Sequence, residues 1–356
     1  MRGKVKKSIY QILLFTCLLP IHSQAQEQKL YTVRTIAFYN VENLFDTVND
    51  SLIFDDDRTP EGKDKWTAER YAIKLENISR VISEIGADIT GASPCIIGLC
   101  EVENRRVVED LIAHPNLRSK NYGIVHFDSP DERGIDVCLL YKKDVFLPSS
   151  FASRRLLLFD EDDFRNYTRD QLVVGGLLDN EKIYCIVNHW PSRSGGEAKS
   201  KPYRLAAARL NKSIIDSILY LDPGAKIISM GDLNDDPNSD SLKKVLKTYG
   251  KKDQLKGKNL YNPMESLHKQ GVGSLAYRDL WNLFDQIYFT ENLITKNDTS
   301  YRFWKAGVFS PNYLSTQSGR YKGYPFRTYA GGSYTGGYSD HFPVYIHLVK
   351  AASKPR

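Results

Sequence analysis

Residues 226–237 read KIISMGDLNDDP. The first five are apolar enough for a short buried strand. The run then breaks at Gly231 into Asp232, Asn234, Asp235 and Asp236. In extended geometry Asp232 and Asn234, two apart, point the same way. A carboxylate beside an amide at a strand tip suits a hard cation, a water molecule or a phosphate ester. The amide donates to a phosphoryl oxygen, and the carboxylate accepts a proton or holds a metal. Two plainer readings compete. An Asp/Asn-rich turn capping the next helix has the same composition. A calcium loop would use the 1, 3, 5 spacing of Asp232, Asn234 and Asp236. However, Pro237 stands where its glycine is required and Lys243 where its closing glutamate belongs.

The pattern recurs along the chain. Apolar strands end in Asn40 and Glu42, in Glu101 and in His189; Asp285 lies inside another strand, and Asp340-His341 open the last one. Charged groups at the edge of a core are costly unless paired or metal-bound. Any one of these could be a cap or a surface group. Together, on elements able to share one sheet edge, they point to a single polar site. Metal-assisted hydrolysis of a phosphate ester fits it. Glu101 is the leading metal ligand, because hard cations take carboxylate oxygen. His189, in IVNHWPSR, and His341 would flank the phosphate and stabilise developing charge. Asp285 would orient His341 by accepting from its other ring nitrogen. Asp232 would position or deprotonate the water. The competing readings are bland: a histidine ahead of Trp-Pro is often structural, and an aspartate in a strand is often a salt-bridge partner.

Strands and helices must hold those residues in place. Residues 35–39, 96–99, 122–127, 135–141, 155–159, 171–178, 183–188, 226–230, 284–289 and 344–349 read as strands. A helix follows Trp66-Thr67, with Tyr71, Leu75, Ile78, Ile82 and Ile85 on one face. A second covers about 106–113. A third opens at Ser200-Lys201-Pro202 and buries Ala207, Leu210, Ile214 and Ile218. A fourth covers about 241–247. Residues 249–280 are polar and carry no clear pattern. Many short strands with a few helices predict two packed sheets with helices outside.

The chain has 356 residues and a formal charge of +6. Residues 1–25 read as a secretory signal: Arg2, Lys4, Lys6 and Lys7, an apolar stretch, then Ser23-Gln24-Ala25. Without those four cations the charge falls from +6 to +2, so net charge does not argue for nucleic acid. Cys95, Cys100, Cys138 and Cys185 are too few for a disulfide scaffold. No repeat or low-complexity linker divides the remainder, which predicts one domain over residues 26–356. Residues 301–345 hold thirteen aromatic side chains, mixed with Arg302, Lys305, Arg320, Lys322 and Arg327. They could stack bases and track phosphates, or simply pack a long loop over the sheet edge.

Taken in order, FYNVENLF, GLCEVEN, IVNHWPSR, MGDLNDDP, FDQIYF and YSDHFPV resemble the endonuclease/exonuclease/phosphatase superfamily. That group includes pancreatic deoxyribonuclease, abasic-site endonucleases, inositol polyphosphate 5-phosphatases and neutral sphingomyelinases. The resemblance runs from Asn40 to Pro343. It implies a four-layer α/β/β/α sandwich of two mostly antiparallel sheets with outer helices, and a Mg²⁺-dependent phosphohydrolase, with Mn²⁺ or Ca²⁺ as alternative ions. It implies Glu101 as the metal glutamate, Glu42 and Asp340 as further metal-side carboxylates, and Asn40 at the phosphate or metal. Asp232 and Asn234 would activate water and hold the phosphoryl group. His189 matches the histidine of the deoxyribonuclease and phosphatase branches, and Asp285 with His341 an Asp–His dyad. Arg169, in YTRDQLVV, matches a phosphate-contacting arginine. Members differ on whether the aspartate or the histidine is the base.

The expected function is a secreted or periplasmic, monomeric phosphodiesterase, foremost an endonuclease acting on nucleic acid. The alternatives are a phosphatase or sphingomyelinase-like enzyme on inositol phosphates or phospholipid, and a secreted binding protein that kept the fold without turnover.

Overall fold

The computed structural model describes residues 30–352, apart from 256, 258 and 296. The signal assigned to residues 1–25 lies outside the described residues. Two large sheets dominate. The first runs Arg302–Val308, Val344–Ala351, Tyr31–Leu44, Ile96–Val102, Asp136–Lys142, Tyr122–His126. Its neighbours are antiparallel except Tyr31–Leu44 with Ile96–Val102. The second runs Thr248–Tyr249, Leu260–Tyr261, Asp285–Thr290, Lys226–Asp232, Glu181–His189, Gln171–Leu178, Phe146–Arg154. Here Lys226–Asp232 is parallel to Glu181–His189, and the first two short strands are parallel to each other.

Alternation along the strands creates three apolar layers. Ile36, Phe38 and Leu139 of one sheet meet Val187, Met230 and Ile287 of the other in the central core. The outer face of the first sheet packs on helices Ala68–Glu84 and Arg105–Ala113 through Ile78, Ile82, Val107 and Leu111. The outer face of the second packs on helix Glu197–Leu221 through Ala207, Ala208 and Ile215. This is the four-layer α/β/β/α sandwich expected. Helix Ala68–Glu84 begins where predicted because the Thr67 side chain accepts the Arg70 N–H.

Two local expectations are corrected. Residues 155–159 are not a sheet strand; only Leu158–Phe159 pair, with Arg165–Asn166. The strand is Phe146–Arg154, which sits at the sheet edge and pairs on one side only, so it tolerates Pro148 and a polar face. The third helix starts earlier, at Glu197, and carries Pro202 near its N-terminus. Cys95, Cys100, Cys138 and Cys185 are all free and buried.

Candidate active site

Strand pairing does most of the positioning. Asp232 stands opposite His189 on one neighbouring strand and opposite Asp285 on the other. The residue before Asp232 must be small. A Cβ on Gly231 would lie 2.4 Å from the Asn188 carbonyl oxygen on the adjacent strand. The first sheet contributes Asn40, whose Nδ2 reaches across the sandwich to Asp232 Oδ2 at 3.1 Å and lies 3.4 Å from Glu101 Oε1. His341 arrives on the loop before Val344–Ala351. Its backbone N–H donates to Ser339 Oγ, which donates in turn to the Asn40 carbonyl.

The backbone is forced into unusual shapes here. Glu42, Asn43, Glu101 and Asn234 all have left-handed φ, between 50° and 62°. For non-glycine residues this costs about 1–3 kcal/mol each and collects at functional sites. The cause at the first three is a slip in the pairing of Tyr31–Leu44 with Ile96–Val102 between Asn40 and Leu44. The slip lets the Asn43 N–H meet Glu101 Oε2 at 3.0 Å, while Asn40 Oδ1 takes the Glu42 N–H at 2.9 Å. Asn234 departs from expectation. The strand ends at Asp232, so the two side chains do not share a strand face. The Asn234 N–H donates to Asp232 Oδ1 at 3.0 Å, and its amide donates to the Trp190 carbonyl.

Three groups converge on one oxygen. Asp232 Oδ2 is 3.7 Å from His189 Nε2, 3.9 Å from His341 Nε2 and 3.1 Å from Asn40 Nδ2. His341 Nδ1 lies 2.6 Å from Asp285 Oδ2, which also accepts from Ser274 Oγ. The two histidines are electrostatic opposites. Burial and the charges of Arg169 and Arg133 push His189 well below the ordinary histidine range. Burial also disfavours charge on His341, but Asp285 and Asp232 outweigh it and hold that imidazole well above its usual pKa. Burial lifts Asp232 to about 6, against the pull of His341 and with help from Asp285.

The remaining expected residues lie around this centre. Glu42 accepts from Arg327 Nε at 3.3 Å and from the Thr328 N–H at 2.6 Å, with the Lys74 ammonium 3.9 Å away. Asp340 takes the other side of Arg327 at 2.8 Å, and its Oδ1 lies 3.9 Å from His341 Nε2. Arg169 is buried and committed to Asp131 and the Trp190 carbonyl, so it braces the segment behind His189. Its sequence neighbour Asp170 pairs with Arg155 instead. Sequence reading missed Lys74, Ser274 and Ser339, and gave Arg327 no role of its own. Lys74 is fully buried and donates to Thr328 Oγ1 and the Tyr338 carbonyl.

The donor set fits a hard divalent cation. Glu101 has no Lys or Arg partner among the described residues; its only paired base is His189, at 3.8 Å, and that imidazole is held neutral. Carboxylate oxygens of Glu101 and Asp340 suit Mg²⁺, Mn²⁺ or Ca²⁺. Asp232, Asp285 and His341 also approach closely enough to hold an ion. Their direct Asp285–His341 contact makes a carboxylate-supported imidazolium facing Asp232 the better description.

Two facing sheets with carboxylates and two histidines at one edge define a phosphoesterase sandwich. The chain belongs to the endonuclease/exonuclease/phosphatase family, whose sequence profile matches residues 35–350; members of that family hydrolyse phosphoesters. No curated protein matches it. Several solved structures share the fold. A family protein from Bacteroides thetaiotaomicron is 17% identical, with 90% of this chain and 96% of that one covered and a TM-score of 0.52. D. rerio TDP2 complexed with single strand DNA product is 14% identical, with 89% and 99% covered and a TM-score of 0.52. A mannosyl-6-phosphatase from Bacteroides thetaiotaomicron is 15% identical, with 88% and 99% covered and a TM-score of 0.51.

Proposed function

We propose that this protein is a Mg²⁺-dependent phosphodiesterase that cleaves polynucleotide strands by in-line attack of water. The observation that carries the reading is the surround of Asp232 Oδ2, with two histidine Nε2 atoms and the Asn40 amide within 3.9 Å. A proton acceptor and several donors thus face one spot, as a water and a phosphoryl group together require. Asp232, lifted to about 6, is ionised at neutral pH yet basic enough to take the proton of a water whose oxygen bonds to phosphorus as the opposite P–O ester bond breaks, the departing oxygen taking its proton from solvent. Protonated His341, steadied by Asp285, faces the negative charge that grows on the phosphoryl oxygens. Neutral His189 and the Asn40 amide donate hydrogen bonds to the same group. Glu101 would hold the cation, with Asp340 and Glu42 on its flank. When bound, the cation neutralises phosphoryl oxygens and orients them. Arg169 and Asn234 fix the Trp190 segment and so the position of His189.

Hydrolysis of bis(p-nitrophenyl) phosphate by the purified protein tests the reaction class. The reading expects turnover in Mg²⁺ that EDTA abolishes and Glu101→Gln lowers by about 10²-fold or more. Turnover indifferent to both changes would overturn it. A protein that releases phosphate only from monoesters would be a phosphatase on the same scaffold. We also propose export through residues 1–25, checked by N-terminal sequencing of the secreted or periplasmic protein, which should begin at Gln26.

A further inference from the structure

A groove of about 280 Å³ opens beside the catalytic cluster, near the lower end of the sizes that hold small ligands, about 300 Å³. Arg327 and Asp340 line it, and Asp340 Oδ1 is 3.9 Å from His341 Nε2. One wall is the hairpin Leu275–Tyr277 with Leu280–Asn282; the other contains Arg320, Tyr321 and Tyr324. Trp281 of the hairpin stacks on Phe342, the neighbour of His341, at 6.1 Å and 14° between planes. The wall is therefore tied to the catalytic loop.

Two tyrosines there are exposed and two arginines are without acidic partners among the described residues, although Tyr321 also packs beside Tyr324 at 5.7 Å. Tyr277 is 63% exposed and Tyr321 46%. The Arg278 guanidinium sits 5.2 Å from the Tyr277 ring and that of Arg320 sits 5.7 Å from Tyr321. Neither arginine has a carboxylate partner among the described residues, whereas Arg327 is neutralised by Glu42 and Asp340. The hairpin turn is strained. Arg278 and Asp279 both take left-handed φ, 50° and 63°, where two-residue turns favour Asn-Gly. Tyr324 Oη accepts the Asp279 N–H at 2.7 Å and donates to its carboxylate at 2.6 Å, pinning the turn to the opposite wall. Strained turns with exposed aromatic rings are kept where a ligand uses them.

We propose that this groove is a base-stacking subsite for an unpaired polynucleotide strand. Tyr277 and Tyr321 take the faces of one or two bases next to the scissile phosphate, and Arg278 and Arg320 neutralise flanking phosphates. The assignment rests on the polynucleotide reading of the active site. Paired bases already stack on one another and cannot offer their faces to protein rings, so duplex is excluded from this subsite.

The test uses the full chain carrying Asp232→Asn, in Mg²⁺, so that the strand is held without being cut. Fluorescence anisotropy compares an eight-residue oligothymidylate with an eight-unit abasic spacer of equal charge. Base stacking is worth about 5–150-fold in affinity per base, so the oligothymidylate should bind at least about 10-fold tighter. Tyr277→Ala with Tyr321→Ala should erase the preference, and Tyr321→Phe should restore part of it. Arg278→Ala with Arg320→Ala should weaken both ligands alike and flatten their salt dependence. Equal binding of the two ligands, or alanine variants that keep the preference, would overturn the subsite. Base-dependent binding by a wild-type protein that cuts no strand would uphold the subsite and overturn the hydrolytic reading. Strand cleavage without base preference would do the reverse.

Discussion

His189 and His341 face the same carboxylate oxygen in opposite charge states, and this difference is the sharpest residue-scale consequence of the site. Nitrogen-detected NMR at pH 7 should show His189 neutral and His341 doubly protonated. Both signs carry into stability. His341, raised in the folded state, adds stability that is full below about 6.5 and is lost as pH rises through its folded pKa. His189, depressed, adds stability that is present above about 6.5 and is lost as pH falls through its folded pKa. Both histidines titrating together near 6.5 would refute the electrostatic picture. Asp285→Asn should lower the His341 pKa and cut kcat by about 10²–10⁴-fold with little change in KM; an unchanged kcat would remove Asp285 from the support of His341. The tips of the apolar runs were readable in the sequence because carboxylates and histidines there demand explanation. Lys74 and Arg327 were not. A lysine beside the apolar track of a helix is normally solvated, and nothing local announces that Glu42, the Thr328 hydroxyl and the Tyr338 carbonyl enclose it.

At the scale of elements, the site depends on close strand contact and on braces behind the strands. Gly231→Ala would place a methyl 2.4 Å from the Asn188 carbonyl. Parting those two strands should cost about 1–3 kcal/mol, read as a lowered Tm, and should displace Asp232 with loss of activity. Arg204, fully buried on helix Glu197–Leu221, donates to Asp235 Oδ1 at 2.7 Å and holds the loop that follows Asn234. Arg204→Ala leaves Asp235 buried without that partner and should cost about 3–5 kcal/mol by denaturant unfolding. A loss below about 1 kcal/mol would show that Arg193, 3.5 Å from the same oxygen, suffices. The groove turn predicts the opposite trade. Replacing Arg278-Asp279 with Asn-Gly relieves two left-handed residues and should raise Tm while weakening oligonucleotide binding. Strands buried on both faces were legible as apolar runs. Phe146–Arg154 was not, since an edge strand with Pro148 and serines carries little periodic signal. Residues 249–280 gave no pattern because their strands are two or three residues long, too short to show a period, and the turn of the Leu275–Tyr277 hairpin is Arg278-Asp279 rather than Asn-Gly.

For the whole molecule, the sandwich exists to bring two sheet edges together. Asn40 and Glu101 come from one sheet, and His189, Asp232 and Asp285 from the other; the Asn40–Asp232 hydrogen bond is their meeting point. The architecture was legible because many short apolar runs and a few amphipathic helices leave little else to build. The aromatic segment 301–345 was legible only as composition. In the fold it divides: Tyr301, Phe303 and Phe342 are buried, Tyr313 and Tyr338 pack beside helix Ala68–Glu84, and Tyr321 with Tyr324 line the groove.

The central claim is metal-dependent cleavage of a polynucleotide strand at this edge. Its most direct test is incubation of the purified protein with an end-labelled single-stranded oligonucleotide, in Mg²⁺ or EDTA, beside mannose 6-phosphate. The account predicts strand cleavage in Mg²⁺, none in EDTA, and a loss of about 10²-fold or more in His189→Ala. Phosphate release from the monoester with an intact strand would contradict it, as would strand cleavage that EDTA and His189→Ala leave unchanged.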